Sequence, residues 1–295
     1  MDKKVIESYI EAGKIAKQVM TYARMLCLEG ANYYDIAKKV ENKIVTLDGK
    51  PAFPLNFSVN ESAAHDTPTF KDERILKKGD LVKIDIGVHI NGCIADTATS
   101  ISIGVDGEND VLISAAEKAL NSAIKVIKPG VKIGEIGKAI GSSTHGTKVK
   151  IIQNLTGHQL GEYMIHAGLT IPNFETDDDR ELRNIAIAVE PFTTYGDGFV
   201  VEGKSSGIYA LMQKRPIRIG KEILEYVVKE FKTLPFSERA LVEKFGLKAK
   251  LIIRDMVNKE ILHSYEVLRE RSKRKVAQFE HTFLILDDKV IVTTA

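Results

Sequence analysis

The chain has 295 residues, 44% of them hydrophobic, which is enough to form one large domain or two modest ones around a well-filled core. Its 42 basic and 40 acidic residues are interspersed and leave a net charge of +2, so neither a specific nucleic acid nor a membrane surface is predicted as the main partner. The two cysteines, Cys27 and Cys93, are far apart, and no apolar run approaches the roughly 20 residues of a membrane helix. With no apolar leader at the start, these features predict a cytoplasmic protein without disulfide bonds.

The first half of the chain is predicted to contain two helix pairs separated by a β-hairpin. Apolar residues recur at helical spacing over 6–27 and 33–47. Residues 81–104 instead alternate on both sides of an Asn-Gly pair, which is typical of a hairpin. The stretches 109–127 and 131–146 return to helical spacing, so the predicted order is helix pair, hairpin, helix pair.

The second half adds extended segments, including the apolar runs 185–189 and 276–286. Two halves that each combine helices with strands predict a pseudo-symmetric α+β fold with the sheet between the halves. Over 204–270 the pattern changes to charged helical segments. We therefore predict a main domain of 1–203 and 271–295 and an inserted helical subdomain, which a fold tolerates when the ends of the insertion lie close together at the surface.

The hairpin carries two aspartates that are predicted to face the same way. If Asn91-Gly92 forms a two-residue turn, paired residues have numbers that sum to 183, and Asp85 and Asp96 become diagonal neighbours on one face. Aspartates on strands usually face solvent, but Asp85 lies in an almost wholly apolar strand, VKIDIGVHI. Two buried carboxylates this close favour a bound cation. His89 lies on the same face, so geometry alone leaves it open as a further ligand.

Four other residues of the second half complete the candidate site. His158 and His166 are eight residues apart in a Gly-flanked segment, and an even separation in an extended chain keeps both imidazoles on one side. Glu190 ends the apolar run IAIAVEPF, and Glu280 interrupts VAQFEHTFLIL. Four buried carboxylates carry a formal charge of −4, which two divalent cations neutralise. Such a pair lowers the pKa of water and polarises a carbonyl, which is hydrolytic chemistry.

The motifs IDIGVHINGCIADTA, LTGHQLGEYMIHAG, VEPF and AQFEHT occur in this order, with KPAFPLNFSVNESAAH near the start and TLPF at 233–236. Together they resemble the type II methionine aminopeptidases, especially the short archaeal kind. The resemblance covers nearly the whole chain and implies the pita-bread fold, with 204–270 as the insertion that separates type II from type I enzymes. It implies removal of the initiator methionine from nascent polypeptides when the second residue is small, by water that two metals activate.

The resemblance also implies a set of metal ligands, with Asp96 and Glu280 bridging the two ions and His89 only a neighbour. The implied ligands are Asp85, Asp96, His158, Glu190 and Glu280. The metals would be Mn, Fe(II), Co or Zn, which suit one imidazole and four carboxylates. His281 is assigned no role, because it should point to the face opposite Glu280.

Further roles come from the same resemblance. His166 would hydrogen-bond the scissile group, His65 would steady the substrate or the leaving amine, and Glu190 would carry the proton between water and the leaving nitrogen. The residues expected to bind the methionine side chain or its neighbourhood are Phe53, His65, Ile165, His166, Phe192 and Tyr265. One departure is visible: Asp66 stands where the family usually has Tyr, so the loop is expected to set His65 differently.

Two alternative functions are compatible with the same fold. A proline-directed pita-bread peptidase would share the ligands but usually has an added N-terminal domain and lacks the insertion. A non-catalytic relative that binds RNA or protein would have lost ligands, and this chain has lost none. The expected partner is the N-terminus of a nascent polypeptide, with ribosome association compatible with that substrate, and a monomer is expected.

Overall fold

The computed structural model describes all 295 residues, and its elements follow the predicted order. The helices are α1 (Lys3–Leu26), α2 (Tyr33–Thr46), α3 (Gly107–Val126), α4 (Ile133–Ser142), α5 (Lys221–Glu230), α6 (Glu238–Phe245) and α7 (Lys248–Asn258). The strands of the first half are β1 (Lys50–Pro51), β2 (Asn56–Val59), β3 (Ser62–Ala64), β4 (Leu81–Ile90), β5 (Cys93–Ser102) and β6 (Val131–Lys132). The later strands are β7 (Lys150–Ile151), β8 (Thr156–Leu160), β9 (Thr170–Pro172), β10 (Glu181–Leu182), β11 (Ile185–Val189), β12 (Phe192–Thr194), β13 (Val200–Leu211), β14 (Phe236–Ser237), β15 (Leu262–Glu270), β16 (Val276–Gln278), β17 (His281–Ile285) and β18 (Val290–Val292). None of the helices combines the length and apolar character that crossing a membrane requires.

The first two helices pack on the sheet of the hairpin. α1 begins at Lys3 because the Asp2 carboxylate caps it by accepting a hydrogen bond from the Lys4 amide, and Asn32 caps α2 in the same way. The buried faces of both helices share one apolar cluster with β4 and β5, in which Val19 and Ile84 are fully buried. Both predicted helices are confirmed, with small shifts at their ends.

The second half repeats this arrangement. Asp106 caps α3, and α3 and α4 pack on a sheet with the strand order β18-β17-β11-β8-β9. Their shared cluster includes Ile136, Ile187 and Phe283, all fully buried. Two helix pairs, each on its own sheet, confirm the predicted α+β architecture with two similar halves.

The two halves meet where β5 passes the segment before β17. Ala98 and Glu280 form an isolated antiparallel bridge, in which the Glu280 amide donates to the Ala98 carbonyl at 3.0 Å. Two residues away, the Thr282 hydroxyl accepts from the Asp96 amide at 2.7 Å and lies 2.8 Å from the Asp96 carbonyl. These contacts bring one carboxylate from each half to the same place.

Residues 204–270 contain more strand than predicted. α5, α6 and α7 form a helical unit with its own apolar cluster, but 204–211 and 262–270 belong to β13 and β15, which pair with each other. β15 also pairs with β3, so these strands form a separate four-stranded sheet with the order β14-β13-β15-β3. Their side-chain alternation is masked by polar residues and by two irregularities in the register.

A buried ion pair fixes the helical unit to α2. Arg239 of α6 is 1% exposed, and its two terminal nitrogens each donate to a Glu41 oxygen at 2.7 Å. Its Nε donates to the Pro68 carbonyl at 3.0 Å, and Glu41 also accepts from the Leu55 amide. A forked arginine pair of this kind holds orientation as well as distance.

Candidate metal centre

The hairpin register is the predicted one. Ile90 pairs with Cys93, and the turn residues Asn91 and Gly92 have φ values of 52° and 91°. Positive φ at both central positions is the signature of the tight turn that matches the twist of the strands. The pairing rule that sums to 183 therefore holds along the whole hairpin.

The aspartates consequently share one face. Asp85 lies opposite Ala98 and Asp96 lies opposite Gly87, so the two carboxylates are diagonal neighbours. A side chain at Gly87 would meet the Phe53 ring, because a Cβ there would lie 2.2 Å from a ring carbon. The room left by Gly87 is thus taken by Phe53, which covers this face.

The second half supplies an imidazole and a carboxylate. His158 on β8 pairs with Ala188 on β11, and Glu190 follows the end of β11. The His158 Nε2 atom lies 3.4 Å from a Glu190 oxygen and 3.7 Å from an Asp96 oxygen. The same nitrogen therefore faces carboxylates of both halves.

Glu280 sits in a break between two strands. The predicted single strand 276–286 is split into β16 and β17, because the backbone of Glu280 exchanges hydrogen bonds with Ala98 instead of continuing either ladder. Its side chain is 1% exposed, and one carboxylate oxygen lies 3.3 Å from the Gln278 amide nitrogen, which donates to it. The break turns this carboxylate toward the hairpin aspartates.

The buried carboxylates have oxygens without partners. One oxygen each of Asp85, Asp96 and Glu280 is buried and accepts no hydrogen bond. Burial raises the pKa of the Asp85 carboxyl to about 7, against the lowering effect of its hydrogen bond with Asp96. Burial and then neighbouring carboxylate charges raise the pKa values of Asp96, Glu190 and Glu280 well above the ordinary range.

These atoms fit a divalent cation. Ligand atoms of Asp96, His158 and Glu280 all lie within 4.8 Å of one another. Oxygens that have lost water and gained no donor are the groups that a cation would satisfy. Carboxylates with one imidazole are a donor set that transition metals accept.

One cavity is lined by all five predicted ligands and by the two predicted non-ligand histidines, His65 and His166. The ligands that line it are Asp85, Asp96, His158, Glu190 and Glu280. The ring centroids of His158 and His166 are 4.5 Å apart and perpendicular, although the chain turns at 161–164 rather than running straight between them. Burial lowers the pKa of His65 to about 4 and also lowers that of His166, so both rings are neutral at pH 7.

The chain is similar to known proteins over its full length. The model of "Metallopeptidase family M24" matches residues 7–286. The chain belongs to this family. A methionine aminopeptidase of Pyrococcus abyssi is 44% identical over 294 residues, covering 98% of this chain and 99% of that protein. A methionine aminopeptidase of Archaeoglobus fulgidus is 42% identical and covers 100% of both chains.

These identities over the full length place the chain among the methionine aminopeptidases of family M24, which confirms the family that the motifs predict. A crystal structure of methionine aminopeptidase from Thermotoga maritima superposes with a TM-score of 0.74 over 100% of this chain and 98% of that chain. At 22% identity it bears on the fold alone, and it agrees with the predicted pita-bread fold. Divalent metal use follows from the metallopeptidase family and from the ligand cluster.

The structure places most of the predicted substrate-binding residues around the cavity. Phe53, Ile165 and Tyr265 line it. Phe192 does not: it is fully buried on β12 and packs in the same cluster as Ala64, which does line the cavity. Phe192 thus belongs to the buried core beside the cavity, on a strand that pairs with β16, and not to the cavity wall.

Four lining residues were not predicted. Asn56 faces Asp85 across β2 and β4, and Ala64 precedes His65. Ile208 and Pro235 come from the segment 204–270. The motif TLPF contains Pro235 and was the available signal, whereas the polar stretch around Ile208 gave none.

His89 and His281, which are close in sequence to predicted ligands, form hydrogen bonds outside the cavity. His89, which geometry left open, accepts a hydrogen bond from the Gly92 amide at 3.2 Å and so closes the hairpin turn. His281 points away from Glu280, as predicted, and its Nδ1 lies 2.9 Å from the Thr294 hydroxyl. Neither lines the cavity.

The metal-free protein should lose stability as the pH rises above about 6.5, the ordinary pKa of histidine. The four carboxyls have higher pKa values in the folded protein than in the unfolded chain, so bound protons stabilise the fold. Their contribution to the free energy of unfolding is complete below the unfolded pKa values and is lost as the pH rises through the folded ones. The buried histidines have lowered pKa values and act in the opposite direction, but only below about 6.5. Urea unfolding with EDTA from pH 6.5 to 8.5 measures this slope.

Comparing the pH dependence of stability between wild type and Glu280→Gln isolates the contribution of the Glu280 carboxyl. The variant should show a shallower slope, by up to about 1.4 kcal/mol per pH unit for one proton. Groups elsewhere cancel in the comparison, including Lys83, whose pKa burial lowers to about 7. Equal slopes in the two proteins would show that Glu280 holds no proton in the folded state.

Proposed function

We propose that this chain removes the initiator methionine from nascent polypeptides whose second residue is small, using two divalent cations held by Asp85, Asp96, His158, Glu190 and Glu280. The observation that carries the proposal is the convergence of five ligand side chains, three with unpartnered buried oxygens, beside two neutral histidines. Removal of an N-terminal methionine follows from membership of the methionine aminopeptidases.

The charge of the site supports two ions rather than one. Four carboxylates carry −4 when ionised, and every one of them has a raised pKa without a cation. Ligand atoms of Asp96 and Glu280 lie within 4.8 Å of each other and of a His158 nitrogen, and these two carboxylates are the proposed bridges. When bound, such ions supply a Lewis acid and an activated water; Mn, Fe(II), Co and Zn all suit these ligands.

Glu190 is the proposed proton carrier. Its side chain is 15% exposed, against 5% for Asp96, so it is the more accessible to substrate. Burial, and then the charge of Asp85, raise its pKa well above the ordinary range. A carboxyl of this kind can take a proton from water and deliver it to the leaving nitrogen at neutral pH.

The two neutral histidines are placed to act on the peptide. A neutral imidazole donates one hydrogen bond without adding charge, and a donor directed at the developing oxyanion stabilises it more than it stabilises the ground state. We assign that role to His166, which lies beside His158. His65 is on the same cavity wall as Tyr265 and is assigned to the substrate amine or the leaving amine.

The apolar part of the cavity is proposed to hold the methionine side chain. Phe53, Ile165 and Tyr265 line it together with Ile208 and Pro235. A thioether packs well against aromatic edges and aliphatic groups. The segment 204–270, which supplies three of these residues, is proposed to be the type II insertion.

The proposed setting is the cytoplasm, where a monomer acts on chains as they leave the ribosome. No nucleic acid or membrane is assigned as a partner. The interspersed charges of the sequence support this assignment.

Peptide hydrolysis with added Mn²⁺, Co²⁺, Fe²⁺ or Zn²⁺ tests the function. We expect methionine release from Met-Ala-Ser, and kcat/KM at least about 10-fold lower for Met-Leu-Ser, because a crowded site past the scissile bond rejects bulk. Met-Pro and Ala-Pro peptides are the controls. Preferred cleavage of Ala-Pro would indicate a proline-directed peptidase, and no hydrolysis with any metal would indicate a binding protein.

A further inference from the structure

His65 depends on its backbone for its position. It follows β3 with a φ of 60°, in the left-handed region that a histidine seldom occupies. The ring has a single hydrogen-bond partner, the Glu266 carbonyl at 3.3 Å from Nδ1, and an edge contact with Tyr265 at 5.5 Å between centroids. With only this one long hydrogen bond, the position of the His65 ring depends on the backbone conformation of residue 65.

The next residue, Asp66, fixes that backbone. Its carbonyl accepts from the Phe57 amide at 2.6 Å, and its amide donates to the Ser58 hydroxyl at 3.4 Å. Its carboxylate is buried and accepts from two nitrogens of Arg74, at distances of 3.0 to 3.2 Å. The Ser62 hydroxyl adds a donor at 3.5 Å, so both ends of Asp66 are tied to β2, β3 and Arg74.

Arg74 is itself held from the other side. Its Nη2 donates to Asp72 at 2.7 Å and its Nε donates to the same carboxylate at 3.0 Å. The guanidinium lies over the Tyr33 ring, 4.9 Å from its centroid. The Asp66–Arg74 pair therefore joins the two ends of the loop 66–74, directly after His65, and Arg74 packs on Tyr33 of α2.

We propose that Asp66 is a positioning residue for His65, acting through its ion pair with Arg74. The inference rests on the proposed role of His65 in substrate binding. It also gives a structural reason for the aspartate that follows His65: a charge-assisted fork fixes the loop that carries the histidine. The buried Asp66 carboxylate has Arg74 as its only charged partner and therefore few alternative arrangements. Its fixed position in turn fixes the backbone of the adjacent His65.

Asp72 provides a matched control. Its hydrogen bonds to the Arg74 guanidinium are as short as those of Asp66. Asp72, however, lies at the far end of the loop from His65. Asp66→Asn and Asp72→Asn both keep side-chain size and remove one charge of the network. Similar losses of melting temperature are expected in both.

Only Asp66→Asn should affect catalysis. We expect its kcat/KM for Met-Ala-Ser to fall about 10- to 100-fold, mostly in kcat, because small misplacements of a positioned group are costly. Asp72→Asn should stay close to wild type, because Asp66 keeps its own hydrogen bonds to both terminal nitrogens of Arg74. Metal content should be unchanged in both variants. Equal kinetic effects in the two variants would overturn the inference, since the role of the pair would then be loop stability.

A double-mutant cycle separates this inference from the role of His65. In a His65→Ala background, Asp66→Asn should cause no further loss of kcat/KM, because its effect passes through the missing ring. An equal loss in both backgrounds would overturn the inference while leaving His65 in place. Full activity of His65→Ala alone would overturn the proposed role of His65 and the inference with it.

Discussion

Glu280→Gln is expected to abolish turnover while the protein stays folded. The carboxylate has one buried oxygen without a hydrogen-bond partner and lies in the ligand cluster with Asp96 and His158. An amide keeps the shape of the side chain and its contact with Gln278, but cannot supply the negative charge that the proposed bridging role requires. The backbone bridge to Ala98 does not depend on the side chain, so the strands on either side should remain in place.

The expected loss of kcat/KM exceeds about 100-fold, the upper end of what residues supporting a ligand contribute. Hydrolysis of Met-Ala-Ser and metal content measured on the same samples check it. Glu117→Gln, on the exposed face of α3, is the matched control and should change neither. Wild-type turnover in Glu280→Gln with full metal content would remove Glu280 from the ligand set.

The metal-free variant should also be at least as stable as metal-free wild type at pH 8. Replacing a buried carboxyl with an amide removes a group whose ionised form has no cation partner. A measured collapse of the fold would instead mean that Glu280 joins the two halves structurally.

His166→Ala is expected to lower kcat by about 10²- to 10³-fold, the range for loss of one oxyanion donor. The ring packs perpendicular to His158 but is not part of the cluster of Asp96, His158 and Glu280. Burial lowers its pKa, so it acts as a neutral donor at pH 7. Metal content should therefore be retained while the chemical step slows.

His145→Ala is a suitable control because His145 is exposed and lies outside the cavity. It should leave kcat and metal content unchanged. Loss of metal in His166→Ala would identify that histidine as a ligand, and unchanged kcat would remove it from the reaction.

Local patterns determined much of this protein from sequence. The hairpin register follows from the Asn-Gly turn and from the alternation of side chains, both of which act over a few residues. That register alone places Asp85 and Asp96 on one face, and the alternation around Glu280 correctly turns His281 away. The helix pairs were also predictable, since capping and apolar spacing are local.

The tertiary structure decided how distant segments meet. The break at Glu280 exists because its backbone bonds to Ala98 in the other half, and no local pattern reports a partner so far along the chain. The same holds for Phe192, whose apolar character fits the cavity wall or the buried core equally well until the packing of β12 is known.

The position of the segment 204–270 was likewise decided by the tertiary structure. Its strand β13 is too polar to show alternation, yet it pairs with β15, which brings Ile208 and Tyr265 to the cavity. Arg239 and Thr233 then join this segment to the loops after His65 and before His166, through Pro68 and Tyr163. Residue type and local period are written in the sequence, so they were enough to nominate the side chains that are proposed to carry the chemistry. Only the long-range pairing of backbones and buried charges decided where they converge.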